Sequence, residues 1–167
     1  MSYSQHPTRW LPDLHGPMCG HSVLLLVANN ERKDALTHIV DGHQRVIHGR
    51  YDVMAGTTGT LEAVQKRFPT KQFIDLGHGP EFGDIWAIVF MLEHLARGSR
   101  LEALVLFDPD IEKHQPFKLA LFLSLLKANA VWFPTPASAA AFFHAVDSSG
   151  EEADLLSIHA RVHLSHA

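Results

Sequence analysis

The stretch Gly56-Thr57-Thr58-Gly59 sets two hydroxyls between two glycines, where an apolar run gives way to residues that favour a helix. The first turn of a helix offers unpaired N–H groups and the positive end of the helix dipole, which together bind anions. Glycines let the backbone approach a ligand closely, and threonine hydroxyls add donors. The pattern therefore favours a phosphate site, or else a tight turn in which Thr58 or Thr60 caps the helix.

Polar residues capable of chemistry follow three other apolar runs. They are Asn29, Asn30 and Lys33 after the first run, His78, Gly79 and Asp84 after the third, and Asp108, Asp110 and His114 after the fourth. Asp84 lies beside glycine-rich backbone and is a candidate general base, but an aspartate there can also cap its helix. Taken singly, the others are also typical of turns and solvated surfaces. The hypothesis of an anionic-ligand site therefore depends on their order along the chain.

Five apolar runs alternate with stretches of helical composition. Strands are predicted at residues 22–28, 51–55, 72–77, 101–108 and 130–134. Helices are predicted at residues 31–49, with a break near Gly42, and at 60–68, 84–98, 117–130 and 137–146. A polar turn is expected at 147–154, and a strand or short helix at 155–165.

This alternation predicts a three-layer α/β fold, with a doubly wound, mostly parallel five-stranded sheet and helices on both faces. Ligands of such sheets bind beyond the carboxyl ends of the strands. All the polar residues named above follow predicted strands, so they are expected to converge on that edge.

The 167 residues are 46% hydrophobic and 19% charged, which fits one globular domain at 22–167 after an N-terminal extension at 1–21. A net charge of −4 and a pI near 6.3 argue against a nucleic-acid partner. The apolar runs are too short to span a membrane, and the single cysteine, Cys19, suits a reducing cytoplasm. No cofactor and no metal are expected. A metal site in the tail requires His159 and His163 on one face of a helix, and a solvated tail is expected instead.

The successive motifs VANNERK, AGTTGTL, GHGPEFGD, LFDPD and HQPFK resemble those of methylglyoxal synthase, in the same order and at nearly the same spacing. The resemblance covers about residues 22–146. Methylglyoxal synthases share their fold with the regulatory domain of carbamoyl phosphate synthetase and with inosine monophosphate cyclohydrolase. The resemblance implies a doubly wound sheet and a homohexamer.

The family converts dihydroxyacetone phosphate to methylglyoxal and phosphate. A carboxylate removes a proton beside the ketone, and the resulting enediolate expels phosphate. By position, the resemblance makes Asp84 the base, Asp108 the second carboxylate, and His114 the residue that polarises the carbonyl oxygen or shuttles protons to it. It also implies a phosphate-binding set of Lys33, Thr57, Thr58, Gly59 and Gly79, with Asn29 and His78 where the family has histidine and serine.

The chain departs from the family pattern at three further points, one of which is Ala55 in place of a phosphate-binding threonine. Phe117 replaces an aspartate three residues after the loop histidine, and the loop from Asp108 to His114 is one residue shorter. Together with Asn29, Phe117 favours an alternative hypothesis, a binding module that keeps the phosphate site without the full catalytic set. The sequence alone leaves the enzyme and the binding module both open.

The predicted helix at 117–130 is apolar nearly all round, so it needs cover on more than one side. Packing into the core provides part of that cover and a subunit interface the rest. A homo-oligomer is therefore expected.

Overall fold

The computed structural model of the protein describes residues 22–79, 83–96, 99–106, 116–127, 131–133 and 135–149. The strands are β1 (Ser22–Ala28), β2 (Val53–Gly56), β3 (Gln72–Asp75), β4 (Arg100–Leu106) and β5 (Val131–Phe133). The helices are α1 (Lys33–Gly42), α2 (Gln44–Arg50), α3 (Thr58–Val64), α4 (Asp84–Ala96), α5 (Pro116–Lys127) and α6 (Pro136–Ser149). Short 3₁₀ turns precede α1 at Asn30–Arg32 and follow α3 at Gln65–Arg67.

The five strands pair in parallel, in the order β3-β2-β1-β4-β5. The predicted doubly wound, five-stranded sheet is therefore confirmed. The chain winds outward from β1 through β2 to β3, and then returns to the other side of β1 with β4 and β5. The carboxyl ends of β1 and β4 thus form the topological switch point, where ligands of such sheets bind.

The central strand β1 is buried on both faces of the sheet. Val23, Leu25 and Val27 pack into one layer, which α4 and α5 cover. Leu24 and Leu26 pack into the other, which α1, α2, α3 and α6 cover. An unbroken run of apolar residues is what a central parallel strand requires, because neither of its faces meets water.

The break predicted near Gly42 lies at His43, between α1 and α2. The backbone of His43 leaves helical geometry, with φ −130° and ψ 25°. None of the helices in the described ranges has the length and continuous apolar surface that crossing a bilayer demands.

The last helix continues to Ser149, so the polar turn predicted from residue 147 is wrong at its start. The Ser148 hydroxyl donates to the carbonyl of His144 at 2.9 Å, one helical turn earlier. Asp147 forms an ion pair with Arg45 at 2.9 Å, which ties this turn to α2. A contact between residues so distant in sequence leaves no local pattern, which explains the error.

A buried ion pair lies toward the amino ends of the strands. The Arg50 guanidinium donates to both carboxylate oxygens of Glu102, at 2.9 and 2.6 Å, and the Tyr51 hydroxyl donates to the same carboxylate. Burial alone lowers the pKa of Arg50, but the hydrogen bonds and charge of Glu102 outweigh it, and that pKa is raised. Burial, followed by the charge of Glu102, raises the pKa of Tyr51 well above its usual range. These residues belong to the scaffold at the end of the sheet opposite the predicted site.

Candidate active site

The carboxyl ends of three adjacent strands carry most of the residues that the sequence singles out. Asn29 follows β1, the segment 56–59 ends β2 and opens α3, His78 and Gly79 follow β3, and Asp84 opens α4. Because β3, β2 and β1 are neighbours in the sheet and parallel, these segments lie side by side at one edge.

Thr57 is the N-cap of α3, but its hydroxyl makes no capping hydrogen bond. The Thr57 and Thr60 hydroxyl oxygens lie 2.9 Å apart instead. Thr60 Oγ1 also accepts the N–H of Ala28 at 3.3 Å, which links α3 to the end of β1. The expectation that Thr58 or Thr60 caps this helix is therefore wrong. The helix begins at Thr58, after the N-cap Thr57, and the Thr60 hydroxyl instead accepts a hydrogen bond from the end of β1.

Thr58 uses both of its donors within the protein. Its N–H donates to the carbonyl of Gly77 at 3.1 Å, and its hydroxyl donates to Asp75 Oδ1 at 2.7 Å. The next N–H in this first turn, that of Gly59, has no acceptor within its own helix and is suited to an anion.

The Lys33 ammonium reaches from the start of α1 to the start of α3. Lys33 Nζ donates to Asn30 Oδ1 at 2.8 Å. It also lies 2.7 Å from the point where the Cβ of any other residue at position 59 would stand. Because Gly59 has no side chain, the ammonium can occupy this space. A positive charge at a helix N-terminus adds to the field of the helix dipole, so this point attracts anions.

The turn after β3 requires glycine at two positions. Gly77 has φ 96°, a backbone conformation that residues with a side chain rarely adopt. At position 83, a Cβ would stand 2.3 Å from the carbonyl oxygen of Gly77. The N–H of Gly83 donates to the carbonyl of His78 at 2.8 Å, which closes the turn on itself.

Asp84 lies against Gly79. The two carboxylate oxygens of Asp84 lie 3.4 and 3.5 Å from the Cβ position of residue 79, and Asp84 is only 4% exposed. The carboxylate is thus held out of bulk water, beside the backbone that the resemblance assigns to phosphate. A carboxylate in such a setting can act as a general base when a substrate proton comes within hydrogen-bonding reach.

Asn29 and His78 lie in different environments. Asn29 is buried, and its N–H donates to the carbonyl of Leu106 at 3.2 Å. It therefore joins the ends of β1 and β4 at the topological switch point. His78, in contrast, is exposed to solvent.

Six residues discussed from the sequence lie outside the described residues: Cys19, Asp108, Asp110, His114, His159 and His163. Within the described ranges, no three side chains of histidine, cysteine, aspartate or glutamate are grouped so as to hold a metal ion.

Sequence reasoning missed one residue of this edge, Asp75. Its Oδ1 atom accepts hydrogen bonds from the Thr58 hydroxyl and, at 2.9 Å, from the N–H of Gly77. The available signal was an aspartate within the strand predicted at 72–77, two residues before a glycine. That signal is weak, because aspartate is common before turns in any fold.

No protein-family model and no curated protein sequence matches the chain. Among solved structures, the chain is similar to the crystal structure of methylglyoxal synthase from Elizabethkingia anophelis NUHP1. The two chains are 16% identical, and the match covers 79% of this chain and 80% of the other with a TM-score of 0.55. At this level of identity the similarity shows the fold, an α/β fold of the methylglyoxal synthase kind.

Proposed function

We propose that the chain is a lyase of the methylglyoxal synthase type, which converts dihydroxyacetone phosphate to methylglyoxal and phosphate. The observation that carries the proposal is the contact of the buried Asp84 carboxylate with Gly79, at the edge where the Lys33 ammonium lies over Gly59. A base and an anion site at one edge are what the elimination of phosphate from a ketose phosphate requires. The fold shared with a methylglyoxal synthase supports the same activity.

In the proposed reaction, Asp84 removes a proton from the hydroxymethyl carbon beside the ketone. The C–H electrons form a carbon–carbon double bond, and the carbonyl oxygen takes the negative charge of the enediolate. The hydroxyl on the deprotonated carbon then passes its proton to the enediolate oxygen, and that carbon becomes an aldehyde. The double bond shifts to the other carbon pair, and the C–O bond to phosphate breaks. Its electron pair leaves on phosphate, which takes up the proton held by Asp84. The resulting enol gains a proton at its terminal carbon and loses its hydroxyl proton to solvent, which gives methylglyoxal. The step needs no oxidant or reductant.

Phosphate binding is assigned to groups at the start of α3 and in the turn after β3. Lys33 supplies the positive charge, Thr57 a hydroxyl, and the backbones of Gly59 and Gly79 supply N–H donors. Thr58 contributes by shaping this segment, because both its donors are engaged within the protein.

Four further residues complete the proposed site. His114 polarises the carbonyl oxygen or shuttles protons to it, and Asp108 is the second carboxylate. Asn29 belongs to the floor of the site, and His78 supplies a donor from the solvent side. A neutral imidazole paired with a carboxylate base is also how triosephosphate isomerase handles this substrate.

A second candidate function is a binding module for phosphate or a phosphorylated metabolite. The observation that favours it is Phe117, the second residue of α5, at the position where the family has an aspartate. The phosphate-binding groups around Lys33 and Gly59 belong to α1 and α3. They therefore do not depend on α5, and binding can persist where catalysis is lost.

We also propose a homo-oligomer, a hexamer if the resemblance extends to assembly, and a cytoplasmic location. Three large apolar side chains on the layer of α4 and α5 support the assembly: Val89, Leu92 and Leu123 are 38%, 46% and 51% exposed. Light scattering at micromolar concentration tests it, and a monomer would exclude it.

The activity is tested by incubating the purified full chain with dihydroxyacetone phosphate and measuring phosphate and methylglyoxal together. Equal amounts of the two products support the lyase. Phosphate release without methylglyoxal would indicate a phosphatase and would contradict the proposal. Absence of turnover, with inorganic phosphate still bound in calorimetry, would favour the binding module.

A further inference from the structure

A ring of hydrogen bonds joins the turn after β2 to the turn after β3. The Thr58 N–H donates to the Gly77 carbonyl at 3.1 Å, and the Gly77 N–H donates to Asp75 Oδ1 at 2.9 Å. The Thr58 hydroxyl closes the ring by donating to the same Oδ1 atom at 2.7 Å. One carboxylate oxygen of Asp75 therefore accepts from both turns at once.

On the α3 side, the ring fixes the segment assigned to phosphate. A carboxylate is an acceptor only, so the shared hydrogen atom belongs to the Thr58 hydroxyl, and the bond is the charge-assisted kind. Thr58 is the first residue of α3, and Gly59 follows it directly. Holding Thr58 therefore holds the Gly59 N–H and the space that Lys33 Nζ occupies beside it.

On the β3 side, the ring fixes the segment that leads to the base. The Gly77 carbonyl packs so closely on position 83 that a Cβ there would stand 2.3 Å away. The N–H of Gly83 is in turn bound to the His78 carbonyl at 2.8 Å. A shift of the Gly77 backbone would therefore displace Gly83 and, with it, the adjacent Asp84.

We propose that Asp75 is a positioning residue of this site. It acts through Thr58 and Gly77, and it fixes the position of the phosphate-binding turn relative to the turn that carries the base Asp84. The inference rests on the proposed function, because it gives Asp75 a part in that same site. It also assigns the Thr58 hydroxyl a fixed role: its hydrogen is committed to Asp75, so it offers only lone pairs to a ligand.

The test compares two variants of Asp75 with a control on the same strand. Asp75→Asn keeps an acceptor oxygen and removes the charge, whereas Asp75→Ala removes the acceptor. Gln72→Ala is the control, because Gln72 is exposed at the other end of β3. The readouts are kcat and KM for dihydroxyacetone phosphate, the affinity for inorganic phosphate by calorimetry, and amide hydrogen exchange over residues 58–79.

We expect Asp75→Ala to raise KM and weaken phosphate binding about tenfold, as the loss of hydrogen bonds to a charged group predicts. In that variant the amides of Thr58 and Gly77 exchange faster. Asp75→Asn stays within about threefold of the unchanged protein, because its oxygen still accepts both bonds. The Gln72→Ala variant behaves as the unchanged protein does. A merely stabilising role for Asp75 would instead move the unfolding midpoint without changing KM.

Two results would overturn the inference in an active protein: unchanged KM and phosphate affinity in Asp75→Ala, or equal losses in Asp75→Ala and Asp75→Asn. If the unchanged protein neither turns over the substrate nor binds phosphate, the proposed function fails separately. Amide exchange then tests whether Asp75 holds the two turns together. Faster exchange at Thr58 and Gly77 in Asp75→Ala, but not in the other two variants, supports the role of Asp75 in holding the two turns. Unchanged exchange in Asp75→Ala would contradict that role.

Discussion

The Lys33 ammonium lies beside Gly59, in the space that a side chain at position 59 would fill. Nζ lies 2.7 Å from the Cβ position of that residue, well inside van der Waals contact. The sequence places these residues 26 positions apart, on the first turns of two different helices. Glycine at position 59 thus decides whether a cation can stand at the N-terminus of α3.

The first prediction follows from this contact. Gly59→Ala is expected to displace the ammonium and to weaken phosphate binding about tenfold, the loss of roughly one charge-assisted hydrogen bond. Folding is expected to be unharmed, because a lysine end can move and alanine favours a helix over glycine. Calorimetry with inorganic phosphate measures the binding, and urea unfolding measures the stability.

The matched control is Gly49→Ala in α2, where a Cβ meets nothing within 4 Å. It makes the same chemical change in a helix away from the site, so its phosphate affinity should equal that of the unchanged protein. Equal affinities in both variants would show that Lys33 does not need the space at Gly59.

A second prediction concerns Gly56, the last residue of β2. A Cβ there would stand 2.4 Å from the carbonyl oxygen of Leu26, a backbone atom in the neighbouring strand. Backbone cannot swing aside, so Gly56→Ala should lower the free energy of unfolding by about 2 kcal/mol, typical of overpacking. Urea unfolding beside Gly42→Ala, where nothing lies within 4 Å, isolates the effect. Identical midpoints in the two variants would contradict it.

The buried ion pair gives a third prediction. Glu102→Gln leaves the Arg50 guanidinium buried without its counter-charge, which should cost about 3 kcal/mol of the free energy of unfolding. Asp147→Asn, which removes the charge of an exposed ion pair with Arg45, should change stability little. Urea denaturation at neutral pH compares the two. A midpoint of Glu102→Gln close to that of Asp147→Asn would show that the buried pair adds nothing.

The raised pKa of Tyr51 predicts that the free energy of unfolding falls at alkaline pH. Its folded-state pKa is raised above the unfolded value of 10.0 by burial and by Glu102, so folding favours the protonated phenol. The stability it contributes is complete below pH 10 and is lost as the pH rises from there toward the folded-state pKa. Within that window the loss approaches about 1.4 kcal/mol per pH unit. Urea midpoints at pH 9, 10 and 11 should therefore fall more steeply for the unchanged protein than for Tyr51→Phe, and parallel curves would refute this.

The sheet was predictable from the sequence because its signals are local. The run from Val23 to Val27 is apolar at every position, as a short strand with two buried faces requires. The position of the segment proposed to bind phosphate was predictable for the same reason, since Gly56 and Gly59 mark the change from strand to helix.

Neither the contacts at this edge nor the ion pair at the opposite end of the sheet was predictable, because both join distant parts of the chain. Asp75 meets Thr58 across 17 positions, and Glu102 meets Arg50 across 52. Neither pair leaves a periodic pattern, and each depends on the register between strands and turns. The same reason explains the last turn of α6, which Asp147 ties to Arg45 across 102 positions.

The most direct test of the central claim is the turnover of dihydroxyacetone phosphate by Asp84→Asn, measured as phosphate and methylglyoxal together, beside Asp147→Asn as an exposed control. The amide keeps the shape of the buried carboxylate but cannot accept the proton, so kcat should fall by about 10²–10⁴. Calorimetry should show phosphate binding within a few-fold of the unchanged protein, because the ammonium of Lys33 and the N–H of Gly59 remain. The control should retain full activity. Turnover by Asp84→Asn at the rate of the control would contradict the account, since another group would then be removing the proton.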